Sequence, residues 1–295
     1  MSVHETRTRA TTRSGWTWAR RGVTAVAALT MGALVASPHN ATADGKLKLN
    51  FVDPAGDDFG PGSYTYPTDP VYTPGSFDLR GLEVIEGDET IEFRVAVGAK
   101  IEDPWNSKDW DGNGFSLQFT QIYIDTDHQA GVGFREGLPG LGGVSFAESE
   151  AWDKVVLVSP QGRTRLEAEV RFKAAKMKGA VVFPKRTSAR GKQLVAVVKK
   201  SDLGVPNGKW GFQVVMQSNE GYPDKTDVLT RRVNEVRGQH RFGGGNDSEC
   251  DPHVLDILAG HAKGGADEVA AQKAALAYSC GSKVAQIPMI YDAGR

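Results

Sequence analysis

Apolar residues recur mostly at every second position along the chain. Leu47, Leu49 and Phe51 alternate with Lys48 and Asn50, the signature of a strand with one face buried. Ile91, Phe93, Val95 and Val97 alternate with Glu92, Arg94 and Ala96, and Leu82–Ile85 precedes them across Glu86-Gly87-Asp88-Glu89. Two such runs around a Gly/Asp turn predict a hairpin. Residues 115–125 (FSLQFTQIYID) form a further strand, with Phe115, Leu117 and Phe119 on one face. The segments 154–158, 164–172, 179–184, 193–199 and 209–217 complete the series. Many strands at short spacing predict an all-β fold, an antiparallel β-sandwich.

Helix is expected only in the tail. Asp251-Pro252 can cap and open a short helix through Val254, Leu255, Ile257 and Leu258, with Gly260 as its stop. Residues 266–279 (ADEVAAQKAALAYS) predict a second helix, whose Asp267 and Glu268 suit the positive end of the helix dipole.

The first 43 residues read differently. Arg7, Arg9, Arg13, Arg20 and Arg21 precede an uncharged apolar run from Gly22 to Ala36, and Ala41-Thr42-Ala43 supplies a small-x-small cleavage pattern. The run is about 15 residues, short of the roughly 20 that a membrane span needs. A cleaved signal peptide is therefore expected, an uncleaved anchor being the alternative. Arg20-Arg21 resembles a twin-arginine signal, but Gly22-Val23-Thr24 departs from that pattern, so either export route stays open. The domains expected are a signal peptide (1–43), a sandwich (44–245) and a helical tail (246–295), in a protein that is secreted, periplasmic or at the cell surface. Removal of the leader takes away five Arg and one Glu, moving the formal charge from −1 to −5. With 35 Lys+Arg against 36 Asp+Glu, no basic surplus marks a nucleic-acid binder.

Two cysteines, Cys250 and Cys280, fall in the tail. In an oxidising compartment they are expected to pair, closing a loop of about 30 residues worth roughly 3–4 kcal/mol. A metal pair is the alternative, but it lacks further Cys and clear His partners.

The densest chemistry lies in residues 53–80, where Asp53, Asp57, Asp58 and Asp78 sit among Gly/Pro turns. Such turns let carboxylates converge on a hard cation such as calcium, which takes six to eight oxygens; equally, the same residues can cap their turns. A second loop, Asp109-Trp110-Asp111-Gly112-Asn113-Gly114, matches the start of a calcium-binding loop. Its twelfth position is Thr120 rather than Glu, so it is no EF-hand; Asp109, Asp111 and Asn113 are either ligands in a β-loop or a polar hairpin tip. Tyr64, Tyr66, Tyr72, Trp105, Trp110 and Tyr222 crowd the expected loops. Tyr64, Tyr66, Trp105 and Trp110 are candidates to stack on sugar rings, against the alternative that they fill the core. Asp125 and Asp127 could act as an acid–base pair, but turn formation or metal ligation is the commoner use. No G-x-S-x-G, H-E-x-x-H or phosphate-cradling loop occurs, and no enzyme activity is expected.

Residues 53–80, Asp103-Pro104-Trp105-Asn106, Gly114–Gln118, Ile122–Asp125, Ala151-Trp152-Asp153, Phe242–Gly245 and Asp251–Leu258 occur in an order that resembles the C-terminal binding module of glucodextranase, found also on secreted amylolytic enzymes such as pullulanases and likened to S-layer-type modules. The resemblance spans roughly 48–280. It implies a β-sandwich related to family 9 carbohydrate-binding modules and DOMON-like domains, and a non-catalytic role in holding polysaccharide or cell-envelope glycan. The insert 108–113 is longer than the family's loop, so ligand residues are not carried over. No glycosidase domain lies within these 295 residues, so the module is expected to act alone or with a separate glycoside hydrolase. The leading expectation is thus a secreted, calcium-stabilised carbohydrate-binding module. Two alternatives remain. One is a haem-binding electron carrier of the DOMON-like kind, ligated through Met177, Met216 or His128. The other is a structural envelope protein that oligomerises through its sheet edges.

Overall fold

The computed structural model describes residues 46, 48–219, 229, 232–247, 250–259 and 265–292. The expected signal peptide (1–43), Leu47, Tyr222 and Gly260 lie outside the described residues. In chain order the elements are β1 (Lys48–Val52), β2 (Leu79–Glu86), β3 (Thr90–Val97), β4 (Gln118–Asp125), β5 (Val144–Phe146), β6 (Lys154–Val158), α1 (Arg163–Lys173), β7 (Val181–Val182), β8 (Arg186–Arg190) and β9 (Gln193–Lys199). There follow α2 (Lys200–Leu203), β10 (Gly211–Ser218), β11 (Asp256–Ile257), α3 (Ala266–Ala275), β12 (Ala285–Ile287) and β13 (Ile290–Tyr291).

The first sheet runs β1-β2-β3-β9-β8, antiparallel throughout. Its centre is the expected hairpin, closed where Gly87 N–H donates to the Thr90 carbonyl at 2.8 Å. The strict alternation of β3, every second residue buried, puts Ile91, Phe93, Val95 and Val97 inside. The second sheet runs β11-β10-β4-β6-β7, with β13 also on β10. Phe51 and Phe93 of the first sheet meet Phe212 of the second at ring separations of 5.5 and 6.5 Å. This facing contact makes the fold an all-β sandwich. Two pairings are parallel, β6 with β7 and β5 with β12.

Every residue of β4 and of β10 is buried, because the second sheet is covered on both sides. Its inner face joins the core between the sheets. Its outer face, with Phe119, Tyr123, Val155, Leu157 and Val215, forms a second core beneath α1, the 138–152 loop and the tail.

Three expectations are corrected. Phe119 does not share a face with Phe115 and Leu117: the strand starts only at Gln118, and Phe119 enters the outer core while the other two enter the inner one. Residues 164–172 are helix, not strand: α1 buries Leu166, Glu169 and Val170, the spacing of one helical face. The apparent alternation Leu166, Ala168, Val170, Phe172 is coincidental, since Phe172 is 86% exposed. Helix is therefore not confined to the tail. Conversely, residues 251–258 are extended. Leu255 N–H donates to the Met216 carbonyl at 2.9 Å, and β11 pairs with β10. The run is buried on every side, so its letters carry no period that separates strand from helix. The second tail helix is present as α3, and Cys250 is bonded to Cys280 with Cα atoms 5.3 Å apart. No helix among the described residues is long and apolar enough to cross a membrane.

Candidate metal centre and aromatic face

Asp53 is the first residue past β1, and Asp57 and Asp58 follow in the turn that leads away from it. Gly60 is needed at the turn's end. Its φ of +57° is left-handed, and a Cβ there would lie 2.4 Å from the Tyr64 ring. Asp78 stands immediately before β2. The tail brings two further acids, Asp256 on β11 and Glu268 in the first turn of α3. Asp53, Asp57, Asp58, Asp78, Asp256 and Glu268 are all buried.

One carboxylate oxygen from each of Asp53, Asp57 and Asp256 lies within 4.8 Å of the others. Asp256 is held by backbone: Leu79 N–H donates to Oδ2 at 2.7 Å and Ile257 N–H to Oδ1 at 2.9 Å. Asp78 accepts from Gly56 N–H at 2.8 Å and lies 3.6 Å from the Arg80 guanidinium. Asp58 accepts from the Tyr66 hydroxyl. Gln272 of α3 ties the parts together, donating to the Asp57 carbonyl and accepting from Ile257 N–H.

Neither carboxylate oxygen of Asp53, nor of Asp57, has a hydrogen-bond partner among the described residues. A sealed carboxylate without a partner costs several kcal/mol unless it is neutralised. Burial, then the charges of Asp57, Glu268 and Asp78, push Asp53 up to about 9. Burial and Asp78 push Asp57 up to about 6. Burial, then Asp53 and Asp57, raises Asp256 well above the usual carboxylate range. Oxygen-only donors, crowded and proton-hungry, have the chemistry of a hard divalent cation site.

The structure thus draws Asp53, Asp57, Asp58 and Asp78 to one place and adds Asp256 and Glu268, which the sequence reading missed. It does not draw Asp109, Asp111 and Asn113 to any such point. Asp109 and Asp111 are exposed, the first within a turn of 3₁₀ helix and the second capping its end. Asn113 donates its amide to the Ser159 and Gln161 carbonyls at 2.8 and 3.1 Å. That loop is shaped instead by Asp103, which accepts from Ser107 and Ser116.

Among the candidate sugar-stacking rings, Tyr64 is 2% exposed and donates to the Pro252 carbonyl. Its faces are unreachable, and it belongs to the core. Tyr66 packs on Phe242 at 4.8 Å and Phe77 at 5.7 Å. Trp105 and Trp110 are half-buried, with Trp110 Nε1 donating to the Trp105 carbonyl at 3.1 Å. Trp105 meets His240 edge-on at 5.8 Å, and His240 approaches Asp69 at 4.0 Å. Asp69 also accepts from Val71 N–H and the Gln239 amide, both at 3.1 Å, and these hydrogen bonds hold it below the usual carboxylate range. His240 thus links the Trp105 indole to the Asp69 carboxylate and the Gln239 amide, a combination of ring face and polar groups that can serve a sugar.

Asp125 and Asp127 are engaged in their turn. Asp125 accepts from Asp127 N–H, His128 N–H and the Tyr291 hydroxyl, and Asp127 from Gln129 N–H. The three haem-ligand candidates are dispersed: Met216 lies in the core between the sheets, Met177 in the other core, and the His128 ring stacks on Tyr291 at 4.0 Å.

A family model described as the C-terminal binding-module, SLH-like, of glucodextranase matches residues 49–291. No curated protein matches the chain.

Proposed function

The chain belongs to the family of the SLH-like C-terminal binding module of glucodextranase, and from that membership we propose that it holds extracellular polysaccharide or cell-envelope glycan, without catalysis, on a sandwich rim fixed by calcium. Asp53, Asp57 and Asp256 are the innermost ligands, with Asp58, Asp78 and Glu268 around them. The single observation that carries the metal is the pair of buried carboxylates, Asp53 and Asp57, lacking any hydrogen-bond partner among the described residues. A divalent ion there supplies the missing charge and joins the loop after β1 to β11 and α3.

Trp105 and Trp110 supply the stacking rings, and Asp69 and Gln239 the polar contacts. A separate glycoside hydrolase is the natural partner of such a module, and an export signal with one disulfide fits an oxidising, extracellular setting. The test is retention on insoluble starch, dextran and cell-wall preparations with calcium present. Retention that falls at least tenfold in Trp105→Ala is expected; passage through every matrix without delay would end the glycan reading.

A further inference from the structure

Beside the metal cluster, at one end of the first sheet, lies a cleft of about 630 Å³ lined by Asp78, Arg80, Ala96, Arg190, Lys192 and Gln193, with the Val97–Gly98 backbone. Its floor is a cross-strand row. Arg190 of β8 pairs with Gln193 of β9, Gln193 with Ala96 of β3, and Ala96 with Gly81 of β2. Directly paired residues share a face. Inward neighbours such as Val95, Val97 and Leu194 are buried in the core, so this row faces outward. The β2–β3 register shifts between Leu79 and Gly81, an irregularity beside Arg80 at the cleft.

The charge of this cleft is positive. Residues 185–192 (KRTSARGK) contain four cations and no acid. Arg190 and Lys192 are exposed. Lys192 is steadied by donating to the Gly98 carbonyl at 2.6 Å, which leaves two ammonium protons for a ligand. The acids one and two rows further along the sheet are committed: Arg94 bonds Glu92 at 2.7 Å and Glu83 at 3.2 Å. Asp78 is the one acid lining the cleft, and it is tied to Gly56 and Arg80.

We infer that this cleft is an anion subsite, and that the glycan the module holds is an acidic one, whose carboxylate or phosphate is received between Arg190, Lys192 and Arg80. Arginine's planar fork suits either oxyanion, and charge-assisted bonds are the strong kind. The inference rests on the glycan-binding reading above and narrows its ligand class.

The experiment measures affinity by isothermal titration, in calcium, for oligogalacturonate (carboxylate), poly(glycerol phosphate) (phosphate) and a neutral α-glucan. The proteins are the full mature chain, the double variant Arg190→Ser/Lys192→Ser, and Lys176→Ser/Lys178→Ser, which removes equal charge from exposed positions outside the cleft. Matching thermal melts check the folds. At least one acidic probe should bind more tightly than the neutral glucan and weaken with added salt. The cleft variant should lose at least about tenfold, the value of one strong charge-assisted contact, while the control stays within about twofold. Which acidic probe responds separates carboxylate from phosphate. Equal losses in both variants would reduce the effect to overall charge and overturn the subsite. Binding to neutral glucan alone, unchanged in the cleft variant, would overturn the subsite and leave the glycan module standing. Silence with every probe would overturn both.

Discussion

Four carboxylate oxygens, two on Asp53 and two on Asp57, are sealed from solvent with no hydrogen-bond partner among the described residues. Their acidity is the mirror image of a surface carboxylate's. Because Asp53 is raised to about 9 and Asp57 to about 6, the metal-free folded state holds protons that the unfolded chain releases near 4. Its stability is greatest below the unfolded value and falls as pH rises through the folded ones. A bound divalent ion replaces those protons. The gap in melting temperature between calcium-loaded and chelated protein should therefore widen from about pH 5 to about pH 8; a gap that is absent or constant would remove the metal. Asp53→Asn should cross over: at about pH 8 its melting temperature equals or exceeds that of the parent in chelator, since Asn is neutral without taking up a proton, but falls below it in calcium, because a ligand is lost. The acids at 53, 57, 58 and 78 were legible because their turns are dense in Gly and Pro. Asp256 and Glu268 were not, since some two hundred residues separate them from the first four and only the folded tail closes that distance. A lone Asp inside the apolar run Val254–Leu258 was the available signal. Tyr64 and Trp105 look alike in sequence; their burial depends on what packs above them.

At the level of elements, the hairpin of β2 and β3 was readable because one face is wet, so its pattern alternates cleanly. The doubly covered β4 and β10 still announced themselves by length and by Phe, Ile, Val and Tyr content. Failure came where two periods fit the same letters. In α1, Leu166 and Phe172 would share a face in a strand, yet the helix buries one and exposes the other. Leu166→Ala should cost about 3 kcal/mol in urea unfolding, whereas Phe172→Ser should change stability by no more than about 0.5 kcal/mol. Comparable losses at the two positions would restore the strand. Residues 251–258 failed for the opposite reason: buried all round, they carry no amphipathic period at all, and only pairing with β10 decides their form.

Over the whole molecule, the fold class was legible from strand count and spacing, while the parallel pairings and the second core were not, because both depend on where the tail returns. Within that tail, Cys250 and Cys280 close a loop of separation 30 whose loss should cost roughly 3–4 kcal/mol on the chain-entropy account. The double variant Cys250→Ser/Cys280→Ser, unfolded in guanidinium without reductant, should show that deficit; wild-type stability would mean the tail is held by packing alone. The tail's route has a consequence for how the molecule is born. Residues 256–291 supply β11 and β13 to flank β10, β12 to pair with β5, and Ile257, Leu276, Ala285 and Ile287 to roof the outer core. Until the ribosome lets go of them, the outer core lacks part of its roof and the acid cluster lacks Asp256 and Glu268. A nascent polypeptide in that condition cannot yet lock: the fold closes only once its last strands have been made.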